Sequence, residues 1–300
     1  MPTKKIVLLG SRILAVCILF AVCFVIGGVV SGVSRIAQQV SSGQPSPAGL
    51  LGPFLFSTFC VGIIVSYFIF RSYWHGWKLA GALFVAMYGI STVASQVESL
   101  FFLSSKFPHG MIGALFLHGV ISNALFCPLA VRLLGKWRVI SPDPVPTAQS
   151  HTSAAALIRE GLLLVLAFVF LYMFFGYYIA WKNPVLRQYY GGGPAYSSFL
   201  NALRGNITSN PWVFPLQVFR ALLYISCMLP FAFMLRAGRF EKTVAVALFL
   251  SCWTTVLLVP NPLMPMSVAR SHFWETLAFN LSFGAILGWL LSKSPKELNG

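Results

Sequence analysis

Only 9% of the 300 residues are charged and 57% are hydrophobic. A soluble domain carries about one quarter charged residues, so this chain lacks the polar surface to face water, and a mean hydropathy of +0.79 places it among membrane proteins. The net charge of +15 would point to nucleic acid in a soluble protein. Here it reads as the Lys/Arg excess of cytoplasmic loops, so the expected surroundings are the lipid bilayer, with no nucleic-acid partner.

A hydrocarbon layer about 30 Å thick requires about 20 apolar residues per helix. Eight such runs lie near 12–33, 50–70, 79–104, 110–134, 156–181, 213–235, 243–261 and 266–291. The first follows Lys4 and Lys5 as a signal peptide would, but it continues to Val33 without an A-x-A site, so it is read as an uncleaved helix. Turn chemistry separates the runs: SSGQPSPAG, RSYWHGWK, KFPHG, RAGRFEK and PNPLMP. Residues 135–155 are rich in Pro, Ser and Thr and read as a cytoplasmic linker. The loop 182–212 contains Tyr196, Phe199, Leu200 and Leu203 at i, i+3, i+4 and i+7, the spacing of a short amphipathic helix on the outer surface. The six cysteines all fall in apolar runs, with no C-x-x-C pair.

The expected fold class is therefore all-α: a polytopic transmembrane helical bundle of about eight spans, forming one integral membrane domain over 1–300. A weak four-plus-four tandem repeat is one option. WKLAGALF (77–84) and EKTVAVALF (241–249) open spans three and seven, Arg71 and Arg236 end spans two and six, and NALF (123–126) matches NLSF (280–283). Charge sets the orientation. Fourteen of the 21 Lys and Arg fall in the set of loops that includes both termini, five in the opposite set, and Arg220 and Arg270 lie within helices. The positive-inside rule then predicts both termini in the cytoplasm and an inner (plasma) membrane location.

The polar residues inside the spans carry the functional information. At a rise of 1.5 Å per residue, Glu98 lies roughly 10 Å below the outer surface, His118 and Arg220 about 12 Å, and His272 and Glu275 about 10 and 15 Å. Gln217 stands one turn above Arg220, and Arg270 is shallow enough to snorkel. Intramembrane ionisable groups must face one another or water. The seven residues Glu98, His118, Gln217, Arg220, Arg270, His272 and Glu275 are therefore expected to form an outward-facing polar pocket. The opposing reading is structural. Glu98 and Glu275 balance Arg220 and Arg270, and two buried ion pairs could simply fix helix register. Asn123 and Asn280 lie deeper, as helix–helix hydrogen bonds. Glu275 is expected to pair with Arg220 across helices, with Glu98 as the competing acceptor.

The chemistry of this set is open. His118, His272, Glu98 and Glu275 are metal-ligand types, but no span carries H-E-x-x-H or E-x-x-H, and no phosphate loop or G-x-S-x-G elbow is present. No cofactor or metal is expected. The leading reading is a membrane protein that binds or translocates a small molecule, ion or lipid. Without an ATP-binding motif, transport would be driven by a gradient or by a membrane partner subunit. The alternatives are an intramembrane enzyme acting on a lipid-linked substrate, with His or Glu as general base, and a structural or sensory subunit without chemistry.

Overall fold

The computed structural model describes residues 3–40, 47–138, 154–191 and 197–293. Most of the predicted linker, together with Tyr196, lies outside these residues. The described chain is helical throughout: α1 (Thr3–Val30), α2 (Val33–Val40), α3 (Pro47–Phe70), α4 (Gly76–Tyr88), α5 (Ala94–Leu103), α6 (Met111–Leu133), α7 (Ala154–Tyr178), α8 (Pro184–Tyr189), α9 (Phe199–Ser209), α10 (Val213–Met234), α11 (Arg239–Cys252) and α12 (Met266–Leu291). Among the described residues there is no strand, only an isolated antiparallel bridge between Ser72 and Leu235.

Eight segments are long and apolar enough to cross a membrane: Ile6–Val30, Gly49–Phe70, Gly76–Leu103, Met111–Leu133, Leu157–Lys182, Val213–Met234, Arg239–Leu258 and Met266–Leu291. Helices suit the bilayer because every backbone N–H and C=O bonds within the segment. The first span begins at Ile6, earlier than the expected residue 12. Ile6–Leu9 continue the apolar run ahead of Ser11 and Arg12, and a side chain as long as Arg12 can reach the interface. The third span is not one regular helix: α4 passes through a π-helical turn, Gly89–Val93, into α5. The seventh ends in a 3-10 stretch, Trp253–Leu258. Pro53, Pro128 and Pro230 lie within α3, α6 and α10, a placement that membrane helices tolerate better than soluble ones.

Contacts divide the chain into two units, each dominated by four spans. The first comprises Met1–Val145 with Phe233–Ala237 and Leu258–Leu263. Here α1 packs on α3 and α6, and α4 packs on α6. Phe20 meets Phe126 edge-on at 5.0 Å. One end is closed by backbone bonds from Tyr73 N to Met234 O and from Arg236 N to Arg71 O, each 2.7 Å, and by the ammonium of Lys136, which donates to Ser72 O at 3.0 Å.

The second unit comprises Pro146–Ala232, Gly238–Leu257 and Met264–Gly300. Its centre is α12, packed on α11 and α7. Gly284 and Gly288, one turn apart, form the α11 contact. A Cβ on Gly284 would stand 2.6 Å from Ala247 Cα, and one on Gly288 2.7 Å from Thr243 Cα. This is small-residue packing of the G-x-x-x-G kind. At one end of the unit Lys293 Nζ bonds Glu160 Oε1 at 2.9 Å, joining the far ends of α12 and α7. Phe168 of α7 packs edge-on against Tyr224 of α10 and against Phe279 and Phe283 of α12, at 4.8–5.2 Å. In each unit an Asn of the matched tetrapeptides is buried, with a fully buried Phe three residues on: Asn123 and Phe126, Asn280 and Phe283.

Candidate functional site

The site lies in the second unit and is set by residue spacing on three helices. On α7, Phe168, Tyr172 and Gly176 recur every four residues and share one face. On α10, Gln217, Arg220 and Tyr224 share one face at i, i+3 and i+7, as do His272, Glu275 and Phe279 on α12. The aromatic contact of Phe168, Tyr224 and Phe279 forms the floor. Above it the guanidinium of Arg220 lies over the ring of Tyr172, 5.7 Å from its centroid. One turn further, Glu275 Oε1 faces Gly176, 3.4 Å from where a Cβ would be. A glycine at 176 thus leaves the carboxylate its room.

Each ionisable group here has a defined partner. Arg220, 7% exposed, donates from Nη1 to Gln217 Oε1 at 2.8 Å. Gln217 is fully buried, and its Nε2 has no hydrogen-bond partner. Glu275, 9% exposed, takes its bond from His272: Nδ1 and Oε2 are 2.8 Å apart. The other ring nitrogen of His272 is 3.0 Å from the Tyr190 hydroxyl. With Glu275 ionised the carboxylate only accepts, so Nδ1 carries the proton; Nε2 then accepts the Tyr190 O–H when the ring is neutral and donates to the Tyr190 oxygen when it is protonated. Tyr190, His272 and Glu275 therefore form one hydrogen-bonded line.

Tyr190 is brought there by a short helix with an identifiable cap. Asn183 precedes Pro184, and its side-chain oxygen accepts from Val185 N at 2.9 Å, starting α8. The same side chain donates from Nδ2 to Ser271 Oγ at 2.8 Å, fastening α8 to α12. Ala180, Leu186 and Val268 form a small core beneath, flanked by Tyr189 and Tyr190. Burial pushes the Tyr189 phenol above its ordinary range. Arg187 closes the loop by donating to Trp181 O at 2.6 Å. The 182–212 loop also contains α9. Ser198 caps it, and Phe199 stacks into the rings of Phe174, Tyr177 and Tyr178 on α7.

The expected residues fall into distinct positions. Arg220 reaches Tyr172 and Glu275 faces Gly176, both on α7, while Gln217 and His272 each bond the neighbour three residues on. Arg270 is exposed in the second turn of α12. Glu98 is half-buried on α5, in the first unit. His118, also in the first unit, is engaged within it: Nε2 is 3.0 Å from Phe24 O, and the ring packs edge-on against Phe24. The interhelical Glu275–Arg220 pair is corrected. Glu275 bonds His272 on its own helix, and Arg220 goes to Gln217 and Tyr172, because each has a polar neighbour three residues away that needs no second helix to approach. Tyr172, Gly176 and Tyr190 were missed. Tyr190 had a signal in the Asn-Pro cap that starts α8. Tyr172 and Gly176 are unremarkable in an apolar run. Among the described residues no group of three or more His, Cys, Asp or Glu side chains could hold a metal.

Fold and site define a multi-pass α-helical membrane protein with ionisable groups held inside its second helical unit. Compared with protein families, with curated proteins and with solved structures, the chain finds no match.

Proposed function

We propose that this protein binds or translocates a small molecule, ion or lipid at the site lined by Tyr172, Gln217, Arg220, His272 and Glu275. The observation that carries the reading is the line Tyr190–His272–Glu275. A structural clamp joins helices, yet Glu275 spends its carboxylate on its own helix and presents its other oxygen to a glycine. One hydrogen bond to a charged group contributes about 1.5–3 kcal/mol, less than the several kcal/mol that taking an ion out of water costs. The arrangement suits a group kept available for a ligand or a proton. By the charge asymmetry of the loops, the protein sits in the plasma membrane with both termini cytoplasmic, and the site opens outward.

The test is access. Gly176→Cys places a thiol beside Glu275, and a membrane-impermeant thiol reagent is applied to sealed cells. Labelling above the background of the six native cysteines supports an open pocket. An unlabelled but folded variant means a sealed structural contact and overturns the reading.

The enzymatic alternative draws on the same pair. A carboxylate on Nδ1 orients an imidazole as it does in general-base sites. It would act on a lipid-linked substrate whose headgroup reaches Nε2 in place of Tyr190.

A further inference from the structure

We infer that the site takes up an anionic group together with one proton. This rests on the reading that the site holds a ligand. The first observation is Gln217. Its Oε1 is occupied by Arg220 Nη1, so the amide is oriented and Nε2 is a fully buried N–H donor without an acceptor. A buried donor left unmade costs about 1–3 kcal/mol. The two atoms of one amide lie close together, so an acceptor that bonds Nε2 sits beside the guanidinium. A carboxylate or phosphate oxygen meets both a cation and an N–H there.

The second observation is charge. With His272 neutral, Arg220 and Glu275 cancel. A bound anion would leave this buried unit one negative charge in excess, which a low-dielectric site resists. His272 removes the excess. Protonated, it keeps its Nδ1–H bond to Glu275, and Nε2 becomes a donor to Tyr190, whose hydroxyl turns from donor to acceptor without moving its oxygen. The line thus serves both protonation states with the same heavy-atom geometry.

The surrounding groups leave this role to His272. Among the described residues of the elements packed on α12, Tyr190 meets the ring and Tyr189 packs beside it. The Lys182 ammonium lies over the Tyr177 ring, and Arg187 bonds Trp181 O. Glu160, Arg159 and Lys293 are tied together at the other end of α7 and α12. Arg239 covers Trp289 there, and Glu241 and Lys242 follow it in the first turn of α11.

The experiment is calorimetric titration of the full chain in phosphatidylcholine nanodiscs with octanoate, acetate and octylamine, against empty nanodiscs. Two buffers of different ionisation enthalpy report the protons taken up. Saturable carboxylate binding with about one proton per anion is expected, because one histidine is available. Arg220→Gln and Gln217→Leu should each weaken it about tenfold or more, the loss of one charge-assisted bond. His272→Gln should abolish the proton uptake. Octanoate binding with acetate silent assigns a lipid-borne carboxylate; equal binding of both assigns a free small anion. The inference is overturned by anion binding with no proton change, by octylamine binding that survives Arg220→Gln, or by no carboxylate binding while Gly176→Cys still labels. In that last case the pocket stands and only its ligand class is wrong. An unlabelled Gly176→Cys would instead remove the pocket itself.

Discussion

His272 Nδ1 stands 2.8 Å from Glu275 Oε2, one turn apart on α12, and both side chains are largely enclosed, at 19% and 11% exposure. Removing either partner leaves the other largely enclosed without its hydrogen bond. His272→Gln and Glu275→Gln are each expected to lower stability by about 1.5–3 kcal/mol, the range for a hydrogen bond to a charged group. The double variant should lose less than the sum. Thermal unfolding in detergent measures the cycle, and strict additivity would show that the bond carries no coupling. Tyr190→Phe should cost less, about 1 kcal/mol, because it removes one bond at a less enclosed position.

The far end of the same helix offers a contrast in exposure. Glu160 bonds Lys293 at 2.9 Å and lies 3.6 Å from Arg159, whose side chain is 53% exposed against 10% for the carboxylate. An exposed pair contributes about 0–1 kcal/mol. Lys293→Met should therefore destabilise clearly and Arg159→Met hardly at all. Equal melting shifts would mean that burial does not separate the two pairs.

Helix packing predicts a sharper pair. Gly284→Val puts side-chain atoms into the backbone of α11 and should abolish folded protein in detergent. Gly81 has open space where its Cβ would be, so Gly81→Val should express and chromatograph as the parent does. Size-exclusion profiles decide, and a monodisperse Gly284→Val would refute the close approach of α11 and α12.

His118 should behave as a clamp of the first unit. Its ring nitrogen meets Phe24 O on α1, so His118→Phe should lower the melting temperature by the equivalent of about 1 kcal/mol. Carboxylate binding should be unchanged. A variant that melts normally but no longer binds would move His118 into the site.

Topology can be read directly. A reporter active only in the cytoplasm, fused at Gly300, should be active. The same reporter inserted at Gly191 should be silent. The reverse pattern would invert the assigned orientation.

Helix number and helix type were legible in the sequence, because burial in hydrocarbon depends on long runs of apolar residues. Gln217, Arg220, His272 and Glu275 were conspicuous in the sequence, since a polar group in a span stands out by itself, and the structure places them on α10 and α12 of the second unit. Azimuth was harder to read. An apolar run is hydrophobic all round, so no stripe reveals which face of α7 carries Tyr172 and Gly176.

Pairing belonged to the tertiary structure. Depth alone suggested Arg220 for Glu275, yet the nearest partner was three residues away on the same helix, and His118, at a depth close to that of Arg220, went to a carbonyl of α1. The approach of α11 to Gly284 and Gly288, and the docking of α8 that delivers Tyr190, likewise depend on which helices become neighbours. Composition determines that a segment enters the bilayer. Which neighbour it meets there is decided by close packing and hydrogen bonding between surfaces that are almost equally apolar.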